Sequence, residues 1–164
     1  LMPTYGMRAV AYWMGPEKTH KDFSFEDTWV EVKTVNFGND AVTVSSIEQL
    51  DGENTGTLAV YQMERMGADY NGIKLNCIIN DLLNEISEPV YRDMFMSKLT
   101  LYGYDGSPEY DNEVFELKTF HAYIVDDDFP RLKRQYIPNA IVKVQYDISL
   151  RELSKTKQDK LWKQ

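Results

Sequence analysis

Two histidines and one cysteine are the residues in this sequence best suited to acid–base or nucleophilic chemistry. His20 lies in a polar loop and His121 within a predicted strand, and neither belongs to a spaced metal motif such as His-Glu-x-x-His. Cys77 alternates with apolar residues along the chain, a pattern typical of a small buried hydrophobe rather than an exposed thiolate nucleophile. We therefore expect all of them to be structural or surface residues.

Carboxylates are the other potential source of chemistry, since the chain has 26 acidic residues. Asp126, Asp127 and Asp128 are consecutive, so on a strand they would alternate faces and could converge only at a turn. A solvated turn is the favoured interpretation, and a cation site is the alternative. The stretch Asp51-Gly52-Glu53-Asn54 lacks the ligand order of a calcium loop. A glycosidase-like pair of carboxylates cannot be located from the sequence.

A small basic cluster follows the three aspartates and consists of Arg131, Lys133 and Arg134. Because nearby opposite charges cancel each other's field, we interpret this cluster as neutralised by the aspartates. The glycines fall singly, and no phosphate-binding or nucleophile-elbow pattern of glycines occurs. The sequence therefore predicts a protein that is not an enzyme, with no cofactor and no metal site.

Any functional polar side chains would be positioned by strands, because several segments alternate apolar and polar residues. Residues 29–36 place valines on one face and Glu31 and Lys33 on the other. A turn signal at 37–40 and a second alternating run at 41–47 predict a hairpin.

Further alternating runs extend the predicted sheet. Residues 57–65 and 73–79, joined through Asn71-Gly72, predict a second hairpin. Residues 113–125 predict a long strand that is mixed on both faces. Residues 139–150 alternate most regularly and predict a strand with one buried face.

Helical signals are fewer. Residues 81–98 are the main helical candidate, with Ser87 as the cap and Pro89 in the first turn. Residues 7–14 are apolar enough for a strand. Residues 99–104 again alternate between apolar and polar or aromatic side chains, the pattern of a strand. The predicted fold is therefore mainly β: a β-sandwich or barrel of antiparallel strands with one flanking helix near 87–98 and a short C-terminal helix or tail.

Charge is distributed unevenly along the 164 residues, whose net charge is −8. We expect one β-sandwich or barrel domain at 1–150 and a basic C-terminal tail or helix at 151–164. An acidic body argues against direct binding to nucleic acid, because phosphate contacts need cations. No apolar run is long enough to span a membrane, and no signal peptide is visible.

The order of elements resembles that of bacteriophage tail-tube and distal-tail structural proteins. The residues that carry this resemblance are the junction from Tyr91-Arg92-Asp93-Met94-Phe95 to Leu99-Thr100-Leu101-Tyr102 and the final strand from Ala140 to Leu150. The resemblance implies a β-sandwich or barrel with a flanking helix that stacks into rings. It also implies a location in the virion, with cytoplasmic or extracellular locations as alternatives.

The resulting hypothesis is a structural subunit that assembles with other copies of itself and with neighbouring structural proteins, without direct contact to nucleic acid or membrane. Its alternative is a β-sandwich module that binds carbohydrate or peptide. The candidate interface residues are Phe120, Tyr123, Tyr102, Tyr104, Arg151, Lys155, Lys157 and Trp162.

Overall fold

The computed structural model describes residues 1–17 and 19–154, and they form a mixed α/β structure. The strands are β1 (Phe23–Ser24), β2 (Trp29–Asn36), β3 (Ala41–Val44), β4 (Gly56–Met66), β5 (Val114–Val125) and β6 (Tyr146–Ser149). The helices are α1 (Met2–Tyr5), α2 (Arg8–Tyr12), α3 (Leu75–Glu85), α4 (Pro89–Leu101) and α5 (Leu150–Leu153). The predicted antiparallel β-sandwich or barrel is therefore wrong.

The main sheet is mixed and has the strand order β1-β2-β4-β5. β1 runs antiparallel to β2, whereas β2 runs parallel to β4, with Trp29 opposite Gly56 and Asn36 opposite Met63. β3 and β6 form a separate antiparallel pair. The predicted hairpin of 29–36 with 41–47 is wrong, because β1 and β4 occupy the two hydrogen-bonding edges of β2.

The chain divides into two compact units, and the boundary falls within β4 and β5. The first unit comprises Leu1–Thr19 and Glu64–Leu117, and the second comprises His20–Met63 and the residues from Lys118 onwards. The predicted division into a domain at 1–150 and a tail at 151–164 stays a prediction.

Helices α2, α3 and α4 supply the core of the first unit. Its buried apolar residues are Val10, Ile79, Ile86, Phe95 and Leu99. The buried ammonium of Lys98, on α4, donates hydrogen bonds to the carbonyl oxygens of Ala11 and Trp13 and lies 3.0 Å from the Glu17 carboxylate. These contacts join the N-terminal segment to α4.

Strands supply most of the core of the second unit. Its buried residues are Trp29, Val42, Val44, Leu50, Leu58, Val60, Tyr123, Val125, Phe129, Ile148 and Leu153. The first three residues of β2 are all buried, so this end of the strand is covered on both faces. A charged residue placed there is removed from water.

The second predicted hairpin is also wrong, because residues 75–85 form helix α3. Ile73 makes only an isolated bridge to Phe115. The apolar residues around α3 fit a helical repeat as well as an alternating one, and the buried pair Ile79 and Ile86 are seven residues apart, which places them on one helix face. Cys77 is exposed rather than buried, since it lies on the opposite side of that helix.

Three other predicted strands differ from the structure. Residues 7–14 contain α2 rather than a strand, and α4 continues to Leu101 into the region expected to be extended. From the predicted strand 139–150 only β6 forms, because its partner β3 is four residues long. Val142, which was expected on the buried face, is 91% exposed.

The main helix begins at Pro89, with Glu88 rather than Ser87 at the cap position. Within residues 1–17 and 19–154, no helix combines the length and hydrophobicity required of a transmembrane span.

Candidate functional site

A buried acid–base pair lies on β2 in the second unit. Glu31 and Lys33 are two residues apart, so their side chains share one face of the strand. Glu31 is 2% exposed, and its Oε1 lies 3.1 Å from the Nζ of Lys33. Among the described residues, Glu31 is the only buried acidic side chain.

A second carboxylate, that of Asp22, lies against this pair. β1 pairs with β2 so that Phe23 is opposite Val30, and continuing the antiparallel register by one residue places Asp22 opposite Glu31. The Oδ2 of Asp22 accepts a 2.8 Å hydrogen bond from the backbone N–H of Val32. Asp22 is thereby held beside the middle residue of the Glu31-Val32-Lys33 tripeptide.

The turn Ile47–Gln49 fixes the ammonium group of Lys33 from the other side. Gln49 Oε1 accepts hydrogen bonds from Lys33 Nζ at 2.9 Å and from the backbone N–H of Ser45 at 2.7 Å. Lys33 is therefore shared between a carboxylate and an amide oxygen, which fixes its position.

Lys21 adds a second cation to the site. Its Nζ donates to the carbonyl oxygens of Gln49 and Asp51 at 2.8 and 2.9 Å and lies 3.6 Å from the centroid of a Trp29 ring. The Trp29 ring in turn packs over Gly56, where an added Cβ would lie 2.1 Å from Trp29 Cε2. Only glycine permits this approach of the ring to β4.

Burial shifts the pKa values of Glu31 and Lys21. Removal from water raises the pKa of Glu31 to about 7, and the negative charge of Asp22 raises it further while Lys33 opposes the shift. Burial lowers the pKa of Lys21 to about 8, against the attraction of Glu31. Two adjacent carboxylates, one of them buried, form a site in which an added cation would favour the ionised form of Glu31.

The donor set suits a hard divalent cation. Mg²⁺ in enzymes is commonly bound by one or two carboxylates, with water and substrate phosphate completing the coordination shell. Asp22, directly before β1, and Glu31, on β2, supply two such carboxylates. Over the described part of the chain, no cluster of three or more histidine, cysteine, aspartate or glutamate residues could enclose a metal ion. Two carboxylates could hold such an ion only together with ligands from water or substrate.

The aromatic interface candidates lie in different places. Phe120 is half-buried, with its ring centroid 4.7 Å from that of Tyr61, and Tyr123 is buried in the core of the second unit. In the first unit, Tyr102 is 64% exposed and stacks on Trp13, and Tyr104 donates a 2.6 Å hydrogen bond to the side chain of Asn76. Phe120 and Tyr123 lie on β5, which β4 separates from β2 in the sheet, and Tyr102 and Tyr104 belong to the first unit.

The basic interface candidates are mostly outside the described residues. Arg151 is exposed on α5. Lys155, Lys157 and Trp162 lie outside the described residues. Their role in assembly stays a prediction.

The acidic turn contacts part of the predicted basic cluster, whereas the side chain of Arg134 donates to the carbonyl oxygen of Ile141 instead. Asp126 Oδ1 accepts from the backbone N–H of Asp128, and Asp127 lies 2.7 Å from Lys133 Nζ. Lys133 lowers the pKa of Asp127. Arg131 is placed differently from Lys133: its side chain is only 4% exposed.

A family model described as "Putative PD-(D/E)XK family member, (DUF4420)" matches residues 1–151. No curated protein and no solved structure matches the chain. The family match overturns the resemblance to phage tail-tube and distal-tail proteins, and with it the predicted structural subunit of a virion. It also contradicts the prediction that the chain is not an enzyme.

The PD-(D/E)XK motif that names the family has a partial match in the residues of the buried acidic pair. Glu31-Val32-Lys33 matches (D/E)XK, and Asp22 stands nine residues earlier, although Lys21 rather than proline precedes it. Glu116-Leu117-Lys118 on β5 has the same spacing, but neither of its charged residues is buried. The tripeptide was visible in the sequence, but alternation alone placed its charged residues only on the face opposite the valines and did not identify them as a site.

Proposed function

We propose, from the premise that this chain belongs to the DUF4420 family of PD-(D/E)XK-like proteins, that it hydrolyses phosphodiester bonds in nucleic acid with a divalent metal ion. Proteins of the PD-(D/E)XK superfamily are typically nucleases. The observation that carries the proposal is the buried carboxylate of Glu31, which lies beside Asp22 and 3.1 Å from the ammonium of Lys33.

Asp22 and Glu31 are the residues that would hold the metal ion. When bound, a divalent ion supplies Lewis-acid polarisation of the phosphate and lowers the pKa of water. The hydrogen bond from the Val32 amide holds Asp22 in place before substrate arrives. Such preorganisation is effective because no reorganisation is needed during the reaction.

Lys33 would stabilise the negative charge that builds up on the phosphate oxygens in the transition state. Glu31 and Gln49 hold its Nζ from two directions, which leaves the third ammonium proton for a substrate oxygen. A charge fixed in a site from which water is excluded stabilises the transition state more than a mobile charge at the surface does.

Nucleic acid as substrate departs from the expectation drawn from the net charge of −8. Net charge describes the whole surface, whereas binding depends on the local field. Lys21, Lys33 and Arg131 all contact residues 49–51, so three cations are concentrated beside the acidic pair.

The test is cleavage of labelled single-stranded and duplex DNA and of RNA by the purified full chain, with Mg²⁺ or Mn²⁺ and with EDTA. We expect metal-dependent cleavage that falls at least ~100-fold in Glu31→Gln and in Lys33→Met. Both substitutions preserve side-chain size, so the loss reports on charge.

Glu116→Gln and Lys118→Met are the matched controls, since they alter the other tripeptide of the same spacing. Cleavage that survives Glu31→Gln, or that is lost equally in Glu116→Gln, would place the activity elsewhere. A wild-type chain that cuts none of these substrates with either metal would refute the proposal.

A further inference from the structure

Arg131 carries a buried positive charge that the described residues satisfy only in part. Its Nη1 donates to the carbonyl oxygen of Leu50 at 2.5 Å, but its Nε is buried and has no hydrogen-bond partner within residues 1–17 and 19–154. Asp127 lies 3.8 Å from Nη2 and is 2.7 Å from Lys133 instead. A guanidinium cannot give up its charge by deprotonation, so this arrangement favours an anion.

Arg131 lines a cavity of about 630 Å³ in the second unit. This volume lies in the range of sites that bind small organic ligands. The cavity has apolar and aromatic walls contributed by Phe129, Leu132, Tyr146, Ile148 and Leu153.

Two exposed carboxylates, of Asp147 and Glu152, also line the cavity. The Asp147 carboxylate accepts a 2.7 Å hydrogen bond from Thr43. A bare phosphate would be repelled by these acids. A ligand with an anionic end for Arg131, a flat ring for the apolar walls and N–H donors for the carboxylates matches all three kinds of group.

The cavity adjoins the acidic pair through the backbone of residues 49–51. Gln49 holds Lys33, while the next residue, Leu50, accepts the hydrogen bond from Arg131. Lys21 donates to the carbonyl oxygens of Gln49 and Asp51, the residues on either side of Leu50.

We propose that this cavity binds one nucleotide of a single-stranded nucleic acid, with the phosphate on Arg131 and the base against Tyr146 and Phe129. The proposal rests on the proposed nuclease function and extends it, because it identifies a subsite for a nucleotide next to the bond that is cut. Binding of an unstacked base makes single strands, or strand ends, the preferred substrates.

Binding can be measured without catalysis by titrating the full chain in EDTA with cytidine and guanosine 5′-monophosphates, with the matching nucleosides and with inorganic phosphate. We expect the nucleotides to bind about tenfold or more tightly than the nucleosides or phosphate alone. Arg131→Met should remove the advantage of the nucleotide over the nucleoside. Leu132→Trp, at a wall residue that is 37% exposed, should weaken binding of both by filling the cavity.

Arg134→Met is the control, because Arg134 is a cation of the same segment that does not line the cavity. Equal affinities for nucleotide and nucleoside, or unchanged affinities in both cavity variants, would overturn the subsite. Since this measurement contains no cleavage step, it separates a missing subsite from a missing nuclease activity.

Discussion

The carboxylate of Glu31 is 3% exposed and lies 3.1 Å from the ammonium of Lys33, yet its pKa is raised to about 7. A salt bridge alone would lower the pKa of a carboxyl group. The raised value means that burial and the neighbouring Asp22 outweigh the attraction of Lys33. The charged form of Glu31 is therefore disfavoured mainly by burial, and this leads to two pH-dependent predictions.

The first concerns metal affinity. Since the metal binds the ionised carboxylate, Mg²⁺ or Mn²⁺ affinity should rise as the pH increases through about 7 and level off above it. Calorimetric titrations of the full chain at pH 6, 7 and 8 would measure this, and proton release on binding should be largest at the lowest pH. Affinity that is independent of pH over this range would exclude Glu31 as a ligand.

The second concerns stability in the absence of metal. Because the folded-state pKa of Glu31 lies above its ordinary value of 4.5, its stabilising contribution is fully present below pH 4.5 and is lost as the pH rises through about 7. Glu31→Gln mimics the protonated form, so it should be more stable than wild type at pH 8, by up to about 3 kcal/mol, and similar at pH 5.

Urea unfolding of both proteins at the two pH values would test this. The control is Glu113→Gln, because Glu113 forms an exposed ion pair with Arg65 and should change stability little at either pH. A Glu31→Gln variant that is less stable than wild type at pH 8 would show that the salt bridge with Lys33 dominates instead.

The third prediction concerns Gly56, which lies opposite Trp29 in the parallel pairing of β2 with β4. In Gly56→Ala the new Cβ would overlap the Trp29 ring, so the free energy of unfolding should fall by about 1–3 kcal/mol. The contact between Lys21 and that ring should be disturbed as well. Gly67→Ala is the control, because a Cβ added there would meet no atom within 4 Å and the φ angle of Gly67 is not left-handed. Equal stability of the two variants would contradict the packing of Trp29 over Gly56.

The fourth prediction concerns Lys98, the buried lysine of the first unit. Lys98→Met leaves the carbonyl oxygens of Ala11 and Trp13 without their donor, and the free energy of unfolding should fall by about 2–3 kcal/mol. Arg65→Met breaks an ion pair that is exposed on both sides and should cost less than about 1 kcal/mol. Thermal unfolding of both variants would compare the loss of a buried cation with the loss of an exposed one. If Lys98→Met were as stable as Arg65→Met, the hydrogen bonds of Lys98 would not contribute the expected stability.

Some sequence patterns indicated local structure correctly. Pro89 marked the first turn of a helix, and the alternation at 29–36 and 57–65 corresponds to strands β2 and β4. The same kind of alternation failed at 73–79, because short apolar runs fit a helix and a strand equally well. It failed at 139–145 because a strand also needs a partner, and β3 is too short to provide one.

The sequence by itself determined which residue types stand two apart in Glu31-Val32-Lys33 and that Asp22 precedes them. Only the tertiary structure decided that these charges form a site. The physical reason is that alternation states which side chains share a face but not whether that face is covered. Pairing of β2 with β1 brought Asp22 opposite Glu31, and the turn that holds Gln49 packed against the same charged face, where Gln49 binds Lys33. An ordinary pair of charged residues thereby became one removed from water.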